Sequence, residues 1–395
     1  MKYILLILSA CLSLSAEVVD IATIKASLSK HSLAKKADEL RLANVRSSEA
    51  LIALEPLELE LGAGGARSDE GERSFEWSAG VEQKFLTPNA TRVSKNAQDQ
   101  LNRSQELRDE HTLLQMQNEA ILSYHNICLD RNSLDLFSTD VSYFSEIVTQ
   151  KKREFELGEI AKKEFVELSL ELKRIEMAYE RFRSSVDLDR QKLLLSLDLS
   201  GDLPLACSDL YTISAKPELG GEYEDLLERS LEFEALSHKS EAELFGSSVS
   251  DYSLGLSFDD EIDMKRAKLY LSIPLGVTSS KKEHQKAEAL HKKSASIYEK
   301  EAYLKSKSIT QATLKKRLEL DYENISSTAR LVEQYKNELL AISKRAYELG
   351  EIATHEYMLA QRDYLDQKMR LVEAKKEYYK TLFELLAVLQ IRGSL

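Results

Sequence analysis

From Phe165 onward, apolar side chains recur at Leu168, Leu172, Ile175, Tyr179, Phe182 and Val186. Steps of three and four describe one stripe of an α-helix, the a/d repeat of a coiled coil. The positions 192 residues further on carry Tyr357, Ala360, Tyr364, Gln367, Leu371, Ala374 and Tyr378. That second stripe is looser, so its packing must lean on neighbouring helices. Elsewhere the period changes to two. Leu57, Leu59 and Leu61 alternate with Glu58 and Glu60, and after a charged, Gly-rich loop from Gly62 to Arg73 a second run, Phe75, Trp77, Ala79 and Val81, ends near Pro88. Tyr252, Leu254, Leu256 and Phe258 alternate with Ser253, Gly255 and Ser257, and past Asp259–Lys265 come Leu269, Leu271 and Ile273, stopped by Pro274. Each set reads as a β-hairpin with one apolar side. Strands of this length and alternation suit a barrel wall in a membrane, which four strands close only by oligomerising; the alternative is a small sandwich or edge sheet on a soluble protein.

The breakers set the organisation. The chain holds 14 glycines and five prolines in 395 residues, which leaves room for very long regular elements. From Asn89 to Ser200 the only glycine is Gly158; from Val277 to Arg392 it is Gly350; neither stretch contains proline. Both are rich in Glu, Lys, Leu, Ala, Gln and Arg, strong helix formers. Each therefore reads as two long helices folded about one glycine, and Asn89–Glu156 alone predicts a helix of about 100 Å. Glu156-Leu157-Gly158-Glu159-Ile160-Ala161 recurs as Glu348-Leu349-Gly350-Glu351-Ile352-Ala353, with Phe155 matched by Tyr347, Glu164 by Glu356 and Phe165 by Tyr357. The identical words at equivalent sites predict a tandem duplication: residues 17–207 form the first repeat and 208–395 the second. Each repeat is a helix, a β-hairpin and a long helical hairpin. The leading helices are expected at Ile21–Leu54 and Tyr223–Phe245, and Ser200–Gly221 is expected to connect the copies.

Charged residues make up 30% of the chain and mean hydropathy is −0.35, so a bundle of membrane-spanning helices is excluded. A net charge of −12 argues against nucleic acid as a partner. Residues 1–16 read as an export signal, with Lys2 before an apolar Tyr3–Leu8 and cleavage after Ala16. Leu8-Ser9-Ala10-Cys11 is an alternative, a lipobox that would lipidate Cys11. Export leaves Cys128 and Cys207 where disulfides form. They are a candidate pair that would pin the connector to a helix, and only their spacing in the fold decides it. The seven histidines show no ligand spacing, and no catalytic triad, phosphate loop or dinucleotide fingerprint is present. No metal, cofactor or catalytic residue is expected.

Export signal, duplicated helix–hairpin–long-helix units and a Leu-Gly turn in both copies resemble the TolC-like outer-membrane efflux family. Phe155-Glu-Leu-Gly158-Glu-Ile, Tyr347-Glu-Leu-Gly350-Glu-Ile and Leu271-Ser-Ile-Pro274-Leu carry the resemblance. It implies a mainly α fold with a β-barrel segment. Each protomer would give four transmembrane strands to a trimeric 12-stranded barrel and its long coiled-coil helices to a periplasmic α-helical tunnel. It implies a passive exit duct of a tripartite efflux or type I secretion system in the outer membrane of a Gram-negative cell. The partners implied are two further copies, outer-membrane lipid, a periplasmic adaptor (membrane fusion) protein and an inner-membrane transporter. The rival reading is a periplasmic coiled-coil scaffold or binding protein without a pore.

Gly158 and Gly350 are expected to supply the left-handed residue that reverses a helix. The resemblance makes Leu157, Gly158, Glu159, Ile160, Leu349, Gly350, Glu351 and Ile352 the periplasmic tip on which an adaptor docks. It also makes Glu164 and Glu356 candidate carboxylate rings at a lumen constriction; the bland alternative for both is a solvated helix face. Ile352 stands where a basic residue can latch the tip in this family, which leaves Tyr347 as the candidate. Phe75 and Trp77 fit an aromatic girdle.

Overall fold

The computed structural model describes residues 18–51, 53–67, 73–217, 225–247, 249–261, 264–274 and 280–391. The export signal, with its Cys11 and Ala16 alternatives, lies outside the described residues, as do the centre of the first hairpin loop and the start expected for the second leading helix. Widely spaced breakers produce the expected long helices. The order is α1 (Ile21–Leu28), α2 (Ser32–Ala50), β1 (Glu58–Arg67), β2 (Arg73–Leu86), α3 (Pro88–Glu156), α4 (Lys162–Ser196), α5 (Leu226–Phe245), β3 (Asp251–Asp260), β4 (Lys265–Ser272), α6 (Ser280–Gln334), a π-helical segment (Tyr335–Leu340), α7 (Ala341–Glu348) and α8 (Thr354–Leu389). The loop expected from Gly62 is instead strand as far as Arg67, because these residues pair with β2, and the helices depart from expectation at two places. The first leading helix breaks at Ser29–His31 because the next turn is capped from elsewhere. The His31 Nδ1 accepts the Leu33 N–H (3.1 Å) and Asp198 Oδ2 accepts that of Ser32 (3.3 Å). The second long helix is interrupted by the π turns at Tyr335–Leu340, where the equivalent part of α3 is regular.

The fold divides into two compact units, one from residues within 1–35, 112–224 and 307–395, the other from 36–111 and 225–306. Each draws on both sequence repeats. The second unit holds the sheet, a four-stranded antiparallel meander in the order β1-β2-β3-β4. Its register sorts the side chains into two faces. Leu59 pairs with Val81, Val81 with Leu256 and Leu256 with Leu269, an apolar row flanked by Leu61, Leu254 and Leu271. All of these large side chains are exposed. Aromatic pairs bound the band: Trp77 with Phe258 (5.6 Å) toward the loop end and Phe85 stacked on Tyr252 (5.4 Å) at the other. Tyr252 and Phe258 are about 20 Å apart along the strand. The opposite face is polar and bonded across strands. Lys268 meets Asp259 (2.6 Å), Lys84 meets Glu58 (3.5 Å), and Tyr270 donates to Glu82 (3.2 Å). Tyr270 reaches Glu82 by lying over Gly255, where an added Cβ would stand 2.2 Å from its ring.

The first unit holds the larger core, built from α1, α3, α4, α6 and α8 around Ile24, Ile121, Tyr124, Leu197, Leu318, Tyr378, Leu382 and Leu386. The looser stripe of α8 proves the more buried: Tyr357, Ala360, Tyr364, Gln367, Ala374 and Tyr378 are all covered. The connector is laid on this core and hydrogen-bonded along its length. Pro204 accepts the Val19 N–H (2.9 Å) and Val19 accepts that of Ala206 (3.0 Å). The Tyr124 hydroxyl accepts the Cys207 N–H (2.9 Å) and donates to Asp209 (2.6 Å). Tyr378 brackets both backbone groups of Ser214. Cys128 of α3 and Cys207 of the connector form a disulfide with Cα atoms 5.4 Å apart.

His125 is the buried hub of this region, in edge contact with Tyr211, Tyr379 and Phe383. Its Nδ1 lies 2.8 Å from the Ile121 carbonyl, and Nε2 accepts the Tyr211 N–H at 2.9 Å. Those partners require the neutral ring protonated on Nδ1. Burial pushes its pKa down to about 4, against the smaller opposing pull of the Ile121 carbonyl and Asp209. The unfolded chain, with an ordinary imidazole near 6.5, binds this proton first. The contribution is therefore complete above pH 6.5 and is lost as pH falls toward 4, amounting to about 3 kcal/mol. Thermal midpoints measured between pH 7 and 4.5 are expected to fall less steeply for His125→Gln than for the parent chain. Parallel slopes would contradict this assignment.

Candidate functional site

Both helix reversals are built identically. Gly158 (φ 77°) and Gly350 (φ 73°) occupy the left-handed region, with open space where a Cβ would stand. At the first, the Gly158 N–H bonds Phe155 O (3.0 Å) and the Glu159 N–H bonds Glu154 O (2.8 Å); at the second, Gly350 bonds Tyr347 O (3.0 Å) and Glu351 bonds Ala346 O (2.8 Å). This 5→2 plus 6→1 pairing is the Schellman closure, which satisfies the last carbonyls of a helix. Ala161 and Ala353 then take extended conformations and start α4 and α8. An aromatic pair clamps each reversal, Phe155 on Phe165 (5.2 Å, planes 5° apart) and Tyr347 on Tyr357 (5.0 Å, 6°).

At the turns, Leu157 and Leu349 are 75% and 64% exposed, among the most exposed leucines of the helical segments. Glu159 and Glu351 are exposed, while Ile160 and Ile352 are half-buried. The two hairpins are tied together by Tyr143 and Lys151, which sequence reasoning did not single out, meeting Tyr357 and Tyr347, which it did. The Tyr143 hydroxyl meets that of Tyr357 (3.0 Å), and Lys151 lies 6.0 Å from the Tyr347 ring centre while pairing with Glu154 (2.6 Å). Burial works against the Lys151 charge, but the bond to Glu154 and the nearby Tyr347 and Glu164 outweigh it and hold its pKa above the usual value. Tyr143 and Tyr335 match at the repeat offset, a signal that could have marked the site.

The candidate carboxylates have differing surroundings. Glu164 is half-buried within the field of Lys151. Glu356 is exposed, and its Oε2 accepts the Ala353 N–H (3.3 Å), which makes it a cap for α8. Among the described residues no group of three His, Cys, Asp or Glu side chains could hold a metal ion.

No protein-family model and no curated protein matches the chain. Solved structures do. The Campylobacter jejuni CmeC outer membrane channel aligns over 98% of this chain and 92% of its own, with a TM-score of 0.74 and 12% identity. CusC, described for conformational changes accompanying folding and transmembrane channel formation, aligns over 93% and 91% with a TM-score of 0.76 and 13% identity. The chain has the TolC-like outer-membrane channel fold. The Neisseria gonorrhoeae MtrE outer membrane channel, solved in an open state, agrees over 94% and 89% with a TM-score of 0.73 and 14% identity. At such identities the likeness lies in the fold.

Since nothing crowds a Cβ at either turn, alanine there pays only for the left-handed backbone, roughly 1–2 kcal/mol per site. Gly158→Ala and Gly350→Ala are expected to speed amide exchange at Glu159 and Glu351 about tenfold or more. Unchanged exchange would show that these N–H groups are not held by the closure.

Proposed function

We propose that the chain is the exit duct of a Gram-negative outer membrane. In this reading three copies assemble, each giving β1–β4 to a 12-stranded barrel and its long helices to a periplasmic tunnel. Solutes pass from an inner-membrane transporter and a periplasmic adaptor to the exterior, and the chain supplies no energy of its own. The observation that carries this reading is the sheet. One face is an exposed leucine band between aromatic pairs, the other is polar, and the meander leaves β1 and β4 unpaired at its edges. In water such a band exposes apolar surface and open edges at once. In lipid, with edges closed by neighbouring copies, every backbone group is satisfied. The Cys128–Cys207 disulfide suits an oxidising compartment.

The tip is the docking end in this reading. Exposed Leu157 and Leu349 offer apolar contact to the adaptor, with Glu159, Ile160, Glu351 and Ile352 around them. Tyr143, Lys151, Tyr347 and Tyr357 hold the two hairpins together in place of a basic latch at Ile352. Glu164 and Glu356, repeated in three copies, line the constriction and favour cations.

Outer-membrane fractions extracted in detergent and run on unheated gels should yield a particle of three times the protomer mass. A particle recovered outside the membrane as a monomer or dimer would favour the scaffold instead. Leu157→Asp with Leu349→Asp should leave that trimer intact and abolish export in cells; undiminished export would remove the docking role.

A further inference from the structure

Where the strands pass into helices, the surface of the second unit turns basic. The ladder of β2 and β3 runs one step beyond Leu86–Asp251, with Ser250 O accepting the Thr87 N–H (2.9 Å). Ser250 and Thr87 have the parity of Tyr252 and Phe85, so they continue the face that carries the leucine band. Lys282 of α6 donates to the Ser250 hydroxyl (3.3 Å), which fixes the first turns of α6 at this level. Lys281 adjoins it, Lys286 lies one turn further on beside Gly246, and Arg92 lies five residues beyond Thr87 on α3. At 1.5 Å per helical residue, all four cations fall within about 8 Å of the strand ends.

These cations lack counter-charges. The Arg92 side chain bonds Asn89 (2.9 Å) and that of Lys282 bonds Ser250, and none of the four meets a carboxylate among the described residues. Residues 87–94, 249–252 and 280–287 hold two acids, Asp251 and Glu283. Asp251 is taken by the Ser250 hydroxyl (2.6 Å). At the end of α5, Glu241 and Glu243 are engaged by His238 (2.9 Å) and Lys239 (3.9 Å). The loop end of the same sheet is different. There Lys265, Arg266 and Lys268 each pair with an acid, Asp260 (3.9 Å), Glu261 (3.5 Å) and Asp259 (2.6 Å). In a chain of net charge −12, an unpaired basic belt at one end of the sheet is no by-product of composition. Nor do α3 and α6 need it, since the first turns of a helix favour acids.

We propose that this belt binds the anionic headgroups of phospholipids in the leaflet at the helix end of the sheet. Leu57, Leu271 and Ile273, all exposed, and the Phe85–Tyr252 pair mark where the apolar band stops. The headgroup layer extends about 5–8 Å beyond the hydrocarbon on each side, which is the depth of the four cations. Each Lys or Arg at an anionic lipid surface favours association about fivefold. An acidic protein would also meet positive charge, but it would not require the cations to share one depth directly beneath an apolar band. The proposal deepens the duct reading and rests on it for the sheet's place in lipid.

The test is native mass spectrometry of the full chain, extracted from outer membranes in detergent. It is offered equal amounts of phosphatidylglycerol and phosphatidylcholine with the same acyl chains. The trimer should carry phosphatidylglycerol in preference by roughly tenfold or more. Combining Arg92→Gln, Lys281→Gln, Lys282→Gln and Lys286→Gln should remove the preference, and Lys282→Gln alone should lower it about fivefold. Combining Lys281→Arg, Lys282→Arg and Lys286→Arg should keep it. Excess inorganic phosphate should not displace the lipid; displacement would reduce the belt to a bare anion site and overturn the assignment. A trimer that takes both lipids equally would also overturn it, leaving the duct standing and an acidic protein as the partner of the belt. A preference that survives the combined Gln substitutions would do the same to the named residues. A protein found only as a monomer outside the membrane would overturn both readings.

Discussion

A sheet whose apolar side chains face outward cannot be the finished structure. β1–β4 pair only with one another, in sequence order, and present a leucine band on one side. No helix or second sheet covers that band in the described fold. At about 25 cal/mol per Å², leaving many large apolar side chains in water forfeits several kcal/mol, and two open strand edges add unpaired backbone groups. Lipid against the band and further copies at the edges remove both penalties together. The polar face then needs water, which Lys268–Asp259, Lys84–Glu58 and Tyr270–Glu82 already organise across the strands.

The helical part meets a related constraint by different means. Helices this long are stable only if packed along their length. α8 solves this by being covered nearly throughout. α4 and α6 are covered on one side only. The connector is held where the core is densest, by hydrogen bonds from Tyr124, His125 and Tyr378 and by the Cys128–Cys207 disulfide. At the reversals the hairpins are held by the two stacked aromatic pairs and the Tyr143–Tyr357 contact.

Periodic features were legible in the sequence because local chemistry decides them. Gly158 and Gly350 take the left-handed turns expected of the only glycines in their stretches, and the strand pattern at Leu57–Leu61 and Tyr252–Phe258 sorts into two faces as the alternation implies. Features set by distant partners were not legible. The break before Ser32 depends on Asp198, some 166 residues away. The α8 stripe looked loose at Ala360, Gln367 and Ala374, yet small and polar residues are what let neighbouring helices approach it. The capping bond from the Ala353 N–H to Glu356 was likewise not legible in the sequence. Lys151 gave no motif and Tyr143 only its match with Tyr335, since their role appears only when two hairpins meet.

The central claim is that the two faces of the sheet see different solvents, and neighbouring residues of β3 test it directly. A bimane fluorophore on Leu256→Cys should be quenched by brominated lipid and be indifferent to aqueous iodide. The same probe on Ser257→Cys should respond to iodide and ignore the lipid. Iodide quenching of equal strength at both positions, with none from lipid, would place the whole sheet in water and contradict the account.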